Sequence, residues 1–215
     1  MAKFPNARNG VDKVFKSAIL EIIAAGAAGI VLALSRFVDR TNIYSDVGIA
    51  ITMGILSVFC VAAAIVAFIV QLIGLNQAGK DNDSFKGAFI FTIVALIAIF
   101  VGSILSAIPN LLVANMSESV VTIFSDVLEI VIMILVLNGT TTLFRAQGKE
   151  ELATRGNTIC WLAIAAFALS ILFKNLVFVS NFSTISVIFV IVGFVLEVVA
   201  YIMYLVQLNK ARKSF

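Results

Sequence analysis

The feature that most constrains this chain is a series of six long apolar stretches. A helix needs about 20 mainly apolar residues to cross the hydrocarbon layer of a bilayer. The six stretches cover residues 17–35, 47–75, 89–109, 120–143, 159–179 and 185–208. They are apolar on all sides, whereas the strands of a membrane barrel alternate apolar and polar residues. The sequence therefore predicts an all-α, polytopic membrane protein with six transmembrane helices.

The composition agrees with this class and argues against a soluble protein. Hydrophobic residues make up 61% of the 215 residues and charged residues 13%, whereas a soluble domain carries about 25% charged residues. The chain has two prolines, and no stretch rich in Pro or Ser separates the helices. Residues 1–215 are therefore predicted to form a single integral membrane domain.

Lysine and arginine residues are distributed unevenly between the two sides of the predicted bundle. The two termini and the loops after the second and fourth spans hold twelve of them, and the opposite loops hold Arg36 and Arg40. Because cytoplasmic segments are enriched in Lys and Arg, both termini are predicted to be cytoplasmic, in the inner or plasma membrane of the cell. Trp161, Tyr201 and Tyr204 fall near the cytoplasmic ends of their spans, where aromatic rings act as anchors. The basic ends are expected to contact anionic lipid head groups, and no nucleic-acid partner is expected.

The chain also shows an internal similarity between helix ends. Residues 75–80 read LNQAGK and residues 208–213 read LNKARK, and residues 145–149, RAQGK, resemble both less closely. The sequence therefore predicts three hairpin repeats in the same orientation, at approximately 11–80, 81–149 and 150–213. The alternative is that each cytoplasmic helix end independently needs similar capping and snorkelling residues.

The residues that most enzymes and metal sites require are missing. The chain has no histidine, so neither a His-based metal site nor a base for Cys60 or Cys160 is available. Residues 150–155, EELATR, fit the EExxxR string of intramembrane CAAX-type proteases, but those proteases also need histidines on later helices. No glycine-rich phosphate loop is present either. We expect no enzyme activity, no bound metal and no cofactor.

Five ionisable residues lie inside the predicted spans, where a charge costs about 2.5–3.5 kcal/mol at the helix centre. Asp126 and Lys174 each lie about 8–10 Å below the outer end of their span, on consecutive helices. A structural ion pair between them is therefore predicted. Glu21 lies about one turn inside the first span, close to Lys16, so its side chain is expected to reach the cytoplasmic head groups.

Glu129 and Glu197 lie deeper than the other ionisable residues. Each is about 15 Å from a membrane surface, near the midplane. Carboxyl groups at that depth normally face the bundle interior or water, and they are candidates for exchanging protons or binding a cation. The alternative is that each is a protonated carboxyl group that only bonds to a neighbouring helix.

The cytoplasmic half of the fourth span is unusually polar, because residues 138–142 read NGTTT. Asn138, Thr140 and Thr141 are candidates to line a water-filled cavity that opens to the cytoplasm. The alternative is that their side chains bond back to carbonyl groups of the same helix.

Two functions remain open at this point. The first is a small transporter or channel for an ion or small solute that uses the midplane carboxylates. The second is a non-catalytic membrane scaffold or subunit, which binds itself as a homo-oligomer or binds another membrane protein. Its contacts are expected at small residues, which let helices approach closely: residues 24–29 and 62–64, Gly102 and Ser106. The composition resembles that of small bacterial inner-membrane proteins, and no motif narrows the function further.

Overall fold

The computed structural model describes residues 3–35, 47–106, 111–179 and 183–215. Within these ranges the chain forms six α-helices and no strand, and all six are long and apolar enough to cross a membrane. The predicted all-α, six-helix membrane fold is therefore confirmed. The helices are α1 (Pro5–Ser35), α2 (Val47–Ala78), α3 (Asp83–Ser106), α4 (Leu111–Ala146), α5 (Glu150–Val179) and α6 (Ser183–Ser214).

The helices form a ring in which each packs beside its neighbours in sequence. The most extensive packing joins α1 to α2, α3 to α4, and α5 to α6. Smaller contacts join α2 to α3, α4 to α5 and α1 to α6, and α4 also touches α6. The three most extensive pairs correspond to the three hairpins of the sequence, and a repeat origin of those hairpins stays a prediction.

Four segments of the chain meet at one end of the ring, which we call the terminal end: the two termini, the loop after α2 and the loop after α4. The Asn6 amide donates a hydrogen bond of 2.9 Å to Asp81 in the loop after α2. The Lys149 ammonium, in the loop after α4, donates one of 2.7 Å to the carbonyl oxygen of Ser214. All three hairpins therefore point the same way, and we call the opposite end of the ring the far end.

α1 begins at Pro5, well before the predicted span at residues 17–35. Its first turn is capped by a loop that follows another helix, because the Asp81 carboxylate accepts a hydrogen bond of 2.7 Å from the backbone N–H of Ala7. Proline suits the first turn of a helix, and a carboxylate there satisfies an unpaired N–H group and complements the helix dipole. The polar N-terminal segment is thus helical because the loop after α2 completes its start.

α4 ends in a turn that requires a glycine. Gly148 has a φ of 74°, in a region that residues with a side chain rarely adopt. The N–H of Lys149 donates to the carbonyl of Phe144, and the N–H of Gly148 donates to the carbonyl of Arg145, both at 2.9 Å. This is the Schellman pattern of a helix C-terminus, and it leaves the Lys149 side chain beside the C-terminal segment.

α1 and α2 approach most closely where two glycines face each other. A Cβ atom on Gly10 would lie 2.5 Å from the carbonyl oxygen of Gly74, and one on Gly74 would lie 2.7 Å from the carbonyl oxygen of Gly10. Only hydrogen fits between the two backbones. In the small-residue patch at residues 24–29 the situation is different, because a Cβ atom added to Gly26 or Gly29 would meet nothing within 4 Å.

Buried side chains are concentrated at the terminal end. In α2, no described residue between 51 and 66 is buried, and in α3 Gly102 is the only buried residue among the described ones beyond residue 92. Large apolar side chains cover the far half of the ring on its outside, as expected for a surface that contacts lipid. The fully buried core includes Val11, Leu75, Phe85, Val136, Phe144 and Leu208.

Candidate functional site

A small polar cavity lies inside the ring, between α1, α2, α4 and α6. Its volume is about 40 Å³, which is enough for a water molecule. Its polar lining consists of Glu21 from α1, Gln71 from α2, Glu129 from α4, and Tyr201 and Tyr204 from α6. Four helices therefore contribute oxygen-bearing side chains to one small space.

Glu21 is held inside the ring by a hydrogen bond from α6. The Tyr201 hydroxyl donates to Glu21 Oε2 at 3.1 Å, and it also lies 3.4 Å from the carbonyl oxygen of Ala18. The Tyr201 and Tyr204 rings pack with their centroids 5.9 Å apart, and Tyr204 is only 5% exposed. The two tyrosines therefore point toward α1 rather than serving as anchors at the membrane surface, and Glu21 points inward rather than toward the head groups.

The cavity brings two carboxyl groups to one place. The half-buried Glu21 and the exposed Glu129 both line it, and its described lining includes no Lys or Arg. Lys16, the closest basic residue along α1, is five residues or about 8 Å from Glu21 along the helix axis, and its Nζ lies 2.6 Å from Asp12. The other lining residues are Val14, Ala18, Ile132 and Met133.

Glu197, the second deep acid that the sequence indicated, occupies a different place. Its Oε1 accepts a hydrogen bond of 2.6 Å from Ser170 Oγ on α5, and it does not line the cavity that contains Glu129. Gly193 leaves room for this contact, because a Cβ atom there would lie 3.2 Å from Ser170 Oγ. The structure therefore separates Glu129 from Glu197, and a proton or cation role of either residue stays a prediction.

The predicted ion pair between Asp126 and Lys174 concerns a side chain outside the described residues. Asp126 is half-buried on α4, three residues before Glu129 and thus on the same side of the helix. Lys174 belongs to α5, and its side chain lies outside the described ones. The ion pair stays a prediction.

The polar run of α4 contacts its own helix and its neighbours, and it does not line the cavity described above. Thr140 Oγ1 donates to the carbonyl of Leu137 at 2.8 Å, which is a bond back into the same helix. The Asn138 amide lies 3.2 Å from Ser84 Oγ of α3. None of Asn138, Thr140 and Thr141 is among the residues that line the cavity.

A second buried polar region lies where α4, α5 and α6 pack together. A Cβ atom on Gly156 would collide with Thr141 Oγ1 and would lie 2.8 Å from Gln207 Nε2, so this glycine leaves room for both side chains. Gln207 is fully buried, and its amide donates to the carbonyl of Leu152 at 3.1 Å. Gln207 lies one turn closer to the terminal end than Tyr204 on α6. Its hydrogen bond therefore connects α6 to α5 in the core on the terminal side of the cavity.

Sequence reasoning missed the residues that surround Glu129. A partial signal was present on α1, where Val14, Ala18 and Glu21 follow the spacing of one helix face. Tyr201 and Tyr204 are likewise three residues apart on one face of α6. No pattern in the chain indicates that these two faces and α4 border the same cavity.

The chain matches no protein-family model, no curated protein and no solved structure. Its function is therefore inferred from the cavity and the helices around it. In the part of the chain that the structure describes, no group of three or more His, Cys, Asp or Glu residues could hold a metal ion. The structure thus shows a multi-pass membrane protein with an acidic cavity inside its ring of helices.

Proposed function

We propose that this protein transports a proton or a small monovalent cation across the membrane, with Glu21 and Glu129 as the groups that bind it. The observation that carries this proposal is that the two carboxyl groups, from different helices, line one cavity of about 40 Å³. Ionisable residues inside a membrane domain are candidates for an ion or proton pathway, because a charge there is costly to keep. The proposed role is non-enzymatic.

The chemistry of the cavity suits a small positive charge. Two ionised carboxylates in one small space repel each other, so a single proton or cation between them is favoured. The Tyr201 hydroxyl, which donates to Glu21, fixes one carboxylate in position. Gln71 adds an amide oxygen, and carboxylate and amide oxygens are the ligands that hard cations prefer.

Access to the cavity differs between its two sides. On its terminal side, the residues one turn along from the lining residues Met133 and Tyr204 are Leu137 and Leu208, and both are fully buried. On its far side, Glu129 of the lining is itself exposed. This supports a cavity that is reached from the far side, whereas the polar run of α4 suggested one open to the cytoplasm. Release on the other side then requires the terminal end to open, which favours a transporter over an open channel.

We further propose that the terminal end is cytoplasmic, in the inner or plasma membrane of the cell. The support is the twelve Lys and Arg residues on the segments of this end, against two in the opposite loops. A reporter fused to Phe215 tests this orientation, and an external C-terminus would contradict it.

Ion flux into proteoliposomes tests the transport proposal. The protein is reconstituted into sealed vesicles, with empty vesicles as the baseline. A H⁺ gradient is followed with a pH-sensitive dye inside the vesicles, and Na⁺ and K⁺ gradients are followed with dyes sensitive to each of those cations. Glu21→Gln and Glu129→Gln are each expected to abolish the protein-dependent flux, because an amide neither exchanges a proton nor carries a charge. Thermal unfolding in detergent shows whether each variant is folded.

Two further variants make this result specific. Glu151→Gln removes an exposed acid outside the cavity, and it should leave the flux unchanged. Glu197→Gln shows whether the flux also depends on the acid that bonds to Ser170, outside the cavity. Folded Glu21→Gln and Glu129→Gln proteins that keep the wild-type flux would overturn the proposal.

The second candidate function, a scaffold that binds itself or another membrane protein, is favoured by a separate observation. Gly26 and Gly29 have open space around them in the single chain, so another helix could approach this part of α1 closely. Absence of any protein-dependent flux in the same vesicles, together with self-association measured there by cross-linking, would favour this function over transport.

A further inference from the structure

A groove runs along the outer surface between α5 and α6, near the terminal end. It encloses about 440 Å³, and its lining divides into an apolar part and a charged part. The apolar part includes Ile202, Met203 and Val206, and the charged part consists of Glu151, Arg155 and Lys210. None of the residues that line the groove also lines the cavity of Glu21 and Glu129, so the two spaces are distinct.

The two parts of the groove lie at different depths. On α6, Lys210 is one turn closer to the helix end than Val206, and two turns closer than Ile202. Ile202 is 53% exposed and Val206 46% exposed, so the apolar part faces outward, where lipid chains lie. A groove with apolar side chains at membrane depth and basic side chains at the polar edge has the arrangement of a phospholipid.

The charge of the groove favours an anionic occupant. Arg155 and Lys210 oppose one acid, Glu151, so the rim carries a net positive charge. Among the described residues, neither Arg155 nor Lys210 takes part in an ion pair. The Arg guanidinium offers a planar pair of donors that matches phosphate, and the Lys ammonium offers a mobile charge.

We propose that this groove binds one anionic phospholipid of the surrounding leaflet, with its phosphate at Arg155 and Lys210 and part of an acyl chain along Ile202 and Val206. Basic pockets between membrane helices bind anionic head groups in this way. The proposal does not depend on transport, because the groove and the cavity have no lining residue in common.

A tryptophan near the groove, outside its lining, provides a reporter of lipid on this side of the bundle. Trp161 is the single tryptophan, it is 67% exposed, and it follows Arg155 by six residues or about 9 Å along α5. Full-length protein is reconstituted in phosphatidylcholine vesicles, and brominated phosphatidylglycerol or brominated phosphatidylcholine is titrated in. We expect stronger quenching of Trp161 by the anionic lipid.

Substitutions of the rim charges should remove this preference. Arg155→Gln and Lys210→Gln are each expected to weaken it by about fivefold, given the usual contribution of one basic residue near a membrane surface. The matched control is Lys80→Gln with Lys86→Gln, which removes two basic residues near the same end of the bundle but outside the groove. That double variant should keep the preference.

A third variant tests the apolar part without changing charge. Val206→Phe fills the groove and should reduce quenching by the anionic lipid, because the acyl chain is excluded. A preference that survives both rim substitutions, or that falls equally in the Lys80 and Lys86 control, would overturn the proposal. So would a dimer in the same vesicles that Val206→Phe converts to a monomer, because a second copy of the chain would then occupy the groove.

Discussion

The two ends of this molecule are held together by different means. At the terminal end, hydrogen bonds link both termini to the loops, as with Asp81 at the start of α1 and Lys149 at Ser214. The core side chains there, such as Phe85 and Phe144, are fully buried. In the far half, α2 exposes apolar residues on most of its surface, and no described residue from 51 to 66 is buried.

This difference indicates where the bundle can change shape. Hydrogen bonds between protein groups and apolar packing both stabilise the terminal end, whereas the far half has an apolar surface that lipid chains can contact as well as another helix would. The cavity of Glu21 and Glu129 lies between the two regions. Under the proposed transport the more tightly packed terminal end is the side that must open for release, so the contacts there would limit how fast the protein turns over.

The largest predicted effect tests whether polar contacts are confined to the terminal end, because it concerns an ion pair in the far half. If Asp126 and Lys174 pair, Lys174→Met leaves an uncompensated carboxylate and lowers the free energy of unfolding by about 3–5 kcal/mol. The double variant Asp126→Asn with Lys174→Met should then be more stable than the single one. The measurement is unfolding in mixed detergent, and additive effects of the two substitutions would count against the pair.

A smaller effect would sharpen the comparison between packed and open glycines. Gly10→Ala places a Cβ atom against the backbone of α2, and overpacking of this kind typically costs about 1–3 kcal/mol. Gly26→Ala is the matched control in the same helix, where the added methyl meets nothing within 4 Å. It should be neutral or stabilising, because Ala favours the helix by up to about 1 kcal/mol. Equal melting temperatures of the two variants would contradict the close crossing of α1 and α2.

The smallest effect concerns the cap of α1. Asp81→Ala removes the acceptor of the Ala7 N–H, and loss of such a cap costs about 1 kcal/mol. Hydrogen exchange of residues 5–12 should become faster, because their first turn then opens more often. Asp83→Ala, an exposed substitution nearby in α3, serves as the control. Faster exchange of residues 5–12 in both variants would argue that the loop as a whole, and not the cap, holds the helix.

The six helices could be predicted from the sequence because apolar length alone determines them. The start of α1 could not, because Pro5 to Lys16 is polar and its cap, Asp81, is distant in the chain. Glu129 could be recognised by its depth, since depth follows from counting residues along one helix. Its grouping with Glu21 could not, because it depends on the order of α1 and α4 around the ring and on which face each helix turns inward.

The cap of α1 also sets an order of events during synthesis. Asp81 lies 74 residues after Ala7 in the chain, and synthesis at about 5–20 residues per second separates the two by about 4–15 s. For that interval the first turn of α1 has no cap, and the helix enters the membrane before its beginning is stabilised. Lys149 likewise waits for Ser214, 65 residues later. The end of the bundle that carries the most contacts is therefore the last to be completed.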